Sequence, residues 1–182
     1  LRNVMLAYLT ATNGKGCAIL AKGHYQTANT MTDRMAALSA LSENNATERE
    51  EILEEFYQTF KDHKLVIDKW FGVQASAVRD NIFEELKSLR DHPDFNIKNP
   101  NRVRALYGAF AMNNPVKFHN SDGKGYEFLR DAIIELNEIN PQIAARLLTP
   151  FREWKHYTQG RQGNMKSALK TIANLPNLSP NV

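Results

Sequence analysis

The 182-residue sequence predicts an all-α protein: an irregular superhelix, or solenoid, of stacked antiparallel helix pairs of the HEAT or armadillo kind. Three observations lead there. Apolar residues recur at i, i+3, i+4 and i+7 along nearly the whole chain. Proline, glycine and asparagine punctuate these runs. No stretch alternates apolar with polar residues beside a hairpin turn. Short consecutive helices with brief connections neighbour each other as antiparallel hairpins, and hairpins in series give an arc with a concave face. No repeat of fixed length is visible, so the stack is irregular and fills one domain, residues 1–182.

The elements follow in order. The first helix carries Val4, Met5, Tyr8 and Leu9, and Gly14 and Gly16 stop it. A second has Cys17, Leu20, Ala21 and His24 on one side. Asn29 or Thr30 caps a third, whose stripe is Met31, Met35, Leu38 and Leu41. Thr47 and Glu50 have the spacing of a capping box, and Glu48, Glu50 and Glu51 suit the positive end of a helix dipole. The face behind them is Ile52, Leu53, Phe56 and Phe60. Leu65 to Phe71 is the most hydrophobic segment, and Trp70 and Phe71 read as core. Ser76 caps a helix through Val78, Ile82, Phe83, Leu86 and Leu89, which Asp91-His92-Pro93-Asp94 breaks.

Asn99-Pro100-Asn101 opens the next helix, with Val103, Leu106, Tyr107 and Phe110 on its core side, and Asn113-Asn114-Pro115 closes it. A turn at Asp122-Gly-Lys-Gly125 leads to Phe128, Leu129, Ile133 and Leu136. Asn140-Pro141 starts a further helix with proline at its favoured first position. The last helix runs from about Arg161 through Met165, Leu169 and Ile172 and fades at Pro176.

Composition bounds the function. An apolar share of 42% and a charged share of 24% are those of a folded globular chain. The 23 Lys+Arg and 20 Asp+Glu leave a net charge of +3 with the signs interspersed, which argues against a nucleic-acid partner. The single cysteine, Cys17, excludes an internal disulfide and cannot alone build a zinc cluster. Reducing cytoplasm is the natural compartment, although a disulfide-free periplasmic protein would look the same. No apolar stretch approaches the ~18 residues of a membrane span. The chain begins directly inside a helical pattern, which predicts that it derives from something longer.

The search for catalytic chemistry finds none. His24, His63, His92, His119 and His156 never form a His-Glu-x-x-His pattern, and no phosphate loop or nucleophile elbow occurs. Glu54-Glu55 and Glu84-Glu85 diverge along their helices and read as solvated faces. His119 reads as a loop or capping residue before a general base, and Cys17 as a small core residue. No catalytic residue and no metal ligand is assigned, so the chain alone is expected to hydrolyse nothing and to bind no cofactor.

Several segments are specific as an ordered set. They are Asn29-Thr-Met-Thr-Asp-Arg-Met-Ala-Ala-Leu38, Leu65-Val-Ile-Asp-Lys-Trp-Phe71, Asn99-Pro-Asn-Arg-Val-Arg-Ala-Leu-Tyr-Gly-Ala-Phe110 and Asn114-Pro-Val-Lys-Phe-His119. Asp122-Gly-Lys-Gly-Tyr126, Asn140-Pro-Gln-Ile-Ala-Ala-Arg-Leu147 and the Arg161 to Met165 helix complete it. Together they resemble the C-terminal helical domain of bacterial aminopeptidase N, of the gluzincin zinc metallo-aminopeptidases. The resemblance implies a module that caps an active site carried by an upstream catalytic domain of the same chain. There it forms an access channel that confines peptide substrates. Zinc belongs to the parent enzyme, in a His-Glu-x-x-His segment that these residues lack.

It also implies two channel residues. In Asn-Arg-x-Arg the second arginine is Arg104, and in Asn-Pro-Gln-x-Ala-x-Arg the arginine is Arg146; both correspond to arginines regarded as lining that channel. The residues agree with such a role. Arg104 lies off the Val103/Leu106/Tyr107/Phe110 stripe and shares a face with the small residues Gly108 and Ala111. A permanently charged fork suits a peptide's terminal carboxylate or its carbonyls. Pro150, four residues after Arg146, cannot donate to the Arg146 carbonyl, which predicts a bend there. The plainer reading is that either arginine pairs with a surface carboxylate. Arg34 is expected to salt-bridge along its helix; Tyr126 and Trp154 either line a cavity or fill the core. A monomer is expected. The alternative function is a free-standing helical-repeat scaffold that binds a protein partner on its concave face.

Overall fold

The computed structural model describes residues 1–12 and 16–182, which are all-helical. The expected stop at Gly14 lies outside the described residues. Among those residues the α-helices are α1 (Arg2–Thr10), α2 (Cys17–Gln26), α3 (Met31–Ser42), α4 (Thr47–Phe60), α5 (Lys64–Ala75) and α6 (Ile82–Arg90). Then come α7 (Pro100–Val103), a π-helical turn (Arg104–Gly108), α8 (Ala109–Asn113) and α9 (Pro115–Phe118). The rest is α10 (Lys124–Ile139), α11 (Pro141–Leu147), 3-10 turns at Thr149–Phe151 and Trp154–His156, and α12 (Gln159–Ala173).

Two layers result. One runs α1 on α3, α3 on α5, and α5 on the π turn and α8. The other begins with α2 on α4, each hairpin joining the layers through α2 on α3 and α4 on α5. Downstream, α10 packs against α9, α11 and α12. This is the stacked helical superhelix that the sequence predicts.

The expected stripes mostly form the core. Leu38, Leu41, Ile52, Phe56, Ile67, Phe71, Val103, Leu106, Tyr107 and Phe110 are essentially inaccessible. Burying an aliphatic or aromatic side chain of this kind contributes ~1.5–3 kcal/mol. Trp70 is buried as well, and its indole donates to the Leu53 carbonyl at 2.9 Å, tying α5 to α4.

Five local expectations fail. On α1 the buried residues are Leu6 and Thr10, while Val4, Met5, Tyr8 and Leu9 face outward. The helix stops at Thr10, and Gly16, at φ 97°, opens α2 instead. On α4 the cap position is Ala46 and Thr47 is already helical, so no capping box forms; Glu50 pairs with Arg49. Ser76 ends α5 rather than starting α6, its hydroxyl donating to the Gly72 carbonyl at 2.8 Å. Glu85 is not solvated: Arg49 Nη2 and Arg79 Nε each reach it at 2.7 Å, locking α4 to α6.

Other expectations hold. Thr30 caps α3, its hydroxyl accepting from Asp33 N at 3.1 Å. Asn99, Asn114 and Asn140 each cap a helix whose first residue is proline. Gly123 takes φ 77° in the 122–125 turn, and Gly125 lies so close to α9 that a Cβ would sit 2.3 Å from the Phe118 carbonyl oxygen.

Candidate functional site

Arg104 and Arg146 are the two residues to which the resemblance assigns a channel role, and both are solvent-exposed rather than packed inside. Arg104 starts the π turn. Its burial pattern explains that turn. Buried positions recur every four residues, at Arg102, Leu106, Phe110 and Val103, Tyr107, Ala111. On an α-helix a strict four-residue repeat drifts ~40° per step. One wider turn takes up the drift and keeps both columns inward. A third column, Arg104, Gly108 and Met112, then faces solvent. The fourth, Ala105, Ala109 and Asn113, lies beside Gly72 of α5; a Cβ there would meet the Ala105 carbonyl at 3.6 Å.

A Cβ at Gly108 would make ordinary van der Waals contact with the Arg104 Cβ, at 3.7 Å. The guanidinium turns back along its own helix, Nε donating to the Pro100 carbonyl at 3.2 Å and Nη2 to Asn101 Oδ1 at 2.6 Å. Its fork is therefore held by neutral acceptors and keeps its charge available. It makes no ion pair among the described residues.

The preceding arginine of the same motif behaves differently. Arg102 is buried, with Nη1 2.9 Å from Asp68 Oδ1 and its guanidinium carbon 4.6 Å from the Phe71 ring centroid. It fastens the motif to α5, and that ion pair was invisible in the sequence because its partner is on another helix.

Arg146 occupies the last turn of α11. That helix ends at Leu147 and passes into the 3-10 turn containing Pro150, so the expected bend is a termination. Among the described residues the Arg146 side chain has no hydrogen-bond or ion-pair partner, while its carbonyl accepts from the Leu148 N–H. Basic charge in a last turn also suits the negative end of the helix dipole.

Between these elements lies an open cleft of about 450 Å³. It is lined by Ala111, Met112, Pro115, His119, Thr149, Pro150, Arg152, Glu153 and Tyr157. Met112 belongs to the Arg104 column, and Thr149 and Pro150 come just after Arg146 in the chain. Neither Arg104 nor Arg146 lines this cleft.

Hydrogen bonds tie the His119 side of the cleft together. His119 Nδ1 and Nε2 lie 3.0 Å and 2.9 Å from the hydroxyls of Tyr126 and Tyr157, and its ring stacks on Tyr157. Arg161 Nε donates to the His119 carbonyl at 2.6 Å. Burial, with Arg161 adding to it, lowers the His119 pKa below the ordinary imidazole value. Burial likewise pushes Tyr126 up to about 12. A neutral imidazole held between two tyrosines has one nitrogen donating and one accepting, so neither is free for a metal or for proton abstraction. Tyr126 is therefore core, and Trp154, half-buried under Lys166 at 4.3 Å, is packing at the surface.

Two smaller expectations resolve here. Among the described residues Arg34 makes no ion pair; it sits over the rings of Tyr25 and Phe60. Cys17 is half-buried, its thiol donating to the Leu9 carbonyl at 3.4 Å, and is not core. No group of three or more His, Cys, Asp or Glu residues that could hold a metal occurs among the described residues.

The whole chain, residues 1–182, matches the family described as "Domain of unknown function (DUF3458_C) ARM repeats". The chain belongs to this family. Aminopeptidase N of Haemophilus influenzae is 45% identical over 180 residues, which are 98% of this chain and 20% of the relative. Aminopeptidase N of Escherichia coli is 40% identical over 179 residues, 98% of this chain and 21% of the relative. The crystal structure of Legionella pneumophila aminopeptidase A in complex with aspartic acid superposes with a TM-score of 0.90 at 36% identity. That match covers 100% of this chain and 21% of the Legionella chain. The ARM-repeat chain thus spans about a fifth of the length of these relatives and matches the C-terminal region of aminopeptidase N. Among its described residues no helix is long and apolar enough to cross a membrane.

Proposed function

We propose that these 182 residues are the non-catalytic C-terminal domain of a zinc-dependent aminopeptidase N. The domain caps an active site carried by the upstream part of the same polypeptide and walls the channel through which peptides reach it. Zinc and the residues that activate its water belong to that upstream part, and the cytoplasm is the expected compartment. The observation that carries the reading is the placement of Arg104 and Arg146. Both are exposed and free of carboxylate partners among the described residues. Two such cations draw in the terminal carboxylate of a short peptide and position its carbonyls.

The test is kinetic. Arg104→Ala and Arg146→Ala are made in the whole aminopeptidase and assayed with single-residue anilides and with peptides of increasing length. Loss of one charge-assisted contact is worth ~1.5–3 kcal/mol, so kcat/KM for the peptides should fall about tenfold or more while the anilides are unaffected. Unchanged constants at every length would remove the channel role.

A further inference from the structure

The open cleft beside His119 presents hydrogen-bond donors, and the protons around the imidazole show why. His119 lies between two phenols, with Nδ1 3.0 Å from the Tyr126 hydroxyl and Nε2 2.9 Å from the Tyr157 hydroxyl. Tyr126 is fully buried, and the imidazole is the one hydrogen-bond partner of its hydroxyl among the described residues. Were the ring proton on Nδ1, the Tyr126 O–H would be buried with no acceptor, at the full cost of its desolvation. Tyr126 therefore donates to Nδ1, and the Nε2–H donates to the Tyr157 oxygen. Tyr157 keeps its own O–H unused, and Tyr157 lines the cleft.

The other polar groups have the same sense. Arg152, exposed in the lining, makes no ion pair or side-chain hydrogen bond among the described residues. The Thr149 hydroxyl is likewise without a partner there. The one carboxylate of the lining, Glu153, is drawn to His156, 2.9 Å from its Nδ1. The wider charge agrees. After Ile139 the chain has six Lys and Arg and a single acid, Glu153, whereas residues 1–139 have 17 Lys and Arg against 19 acids. Met112, Pro115 and Pro150 add apolar lining. Donors, positive charge and apolar contact together fit an acceptor-only anion on a short hydrocarbon stem.

We infer that this cleft is a subsite for a carboxylate of the peptide substrate, held by the Arg152 guanidinium and the Tyr157 hydroxyl. The methylenes that carry the carboxylate lie on Met112, Pro115 and Pro150. An acidic side chain and a peptide's C-terminal carboxylate share that chemistry. The subsite is separate from Arg104 and Arg146, neither of which lines the cleft. The inference rests on the reading of this chain as the substrate-confining domain of an aminopeptidase.

The test uses the whole aminopeptidase. Alanine-based pentapeptides carry Glu or Gln at each position after the first, with a free or an amidated C-terminus, and kcat/KM is measured for every one. The wild type should favour at least one carboxylate peptide over its neutral amide partner by about tenfold. Arg152→Gln should bring that ratio close to one, and Tyr157→Phe should cut it at least threefold. A general loss of activity or of fold lowers both members of a pair and does not move the ratio. A preference that follows Glu assigns the subsite to a side chain; one that vanishes on amidation assigns it to the peptide's end. A wild type indifferent to charge at every position, or a preference intact in either variant, would overturn the proposal. If Arg104→Ala and Arg146→Ala leave the dependence on peptide length unaltered while this preference stands, the role of those two arginines fails alone.

Discussion

Arg102 and Arg104 stand two positions apart in one motif and do opposite things. Arg102 is spent on Asp68 and the Phe71 ring, and Arg104 is held ready at the surface. Removing a partner from a buried ion pair costs ~3–5 kcal/mol. Asp68 keeps some contact with solvent, so Arg102→Met should cost about 2–3 kcal/mol in urea denaturation, and adding Asp68→Leu should recover part of it. A neutral Arg102→Met would refute the pairing. The exposure of Arg104 was legible, because it falls off the apolar stripe. The burial of Arg102, Arg49 and Glu85 was not: each is stabilised by charges from another helix, and sequence spacing within one helix carries no trace of them.

At the scale of the element, helix bodies were legible and helix ends less so. Thr30 and Thr47 show why. Both precede apolar runs, but only Thr30 has the extended backbone, φ −124° and ψ 153°, that aims a hydroxyl at the first free amides. At α4 that conformation falls on Ala46, one residue earlier. Thr30→Ala should therefore lower stability by about 1 kcal/mol and Thr47→Ala by less than about 0.5 kcal/mol, as thermal unfolding can measure. Equal losses would mean that Thr47 caps α4 after all. The π turn was not legible, since Val103, Leu106, Tyr107 and Phe110 stand at i, i+3, i+4 and i+7, the spacing of an ordinary α-helix face. A reading tuned to i, i+3, i+4, i+7 absorbs it unnoticed.

For the molecule as a whole, the all-helical stack followed from periodicity, while the division into two layers and the open α1 face needed coordinates. An apolar stripe on α1 says only that something covers it. Two internal histidines also bear on the entire fold. His92, among the rings of Tyr57, Trp70 and Phe71, and His119 both have pKa values lowered chiefly by burial. Unfolding restores an ordinary value near 6.5, so the unfolded chain takes up protons first as pH falls. Their contribution is complete above about pH 6.5 and is lost as pH drops from there through the folded values. The melting temperature should decline from pH 7 to pH 5, and His119→Gln should flatten that decline; an unaltered slope would discount the histidine. The π turn has a last consequence at this scale. It exists because of one surplus residue, so losing a single codon there would rotate everything ahead of it by about a third of a revolution relative to the downstream helices. Such a deletion would carry Arg104 off its open row without touching its own codon. Evolution can therefore keep the charge in place only by also keeping the irregularity beside it.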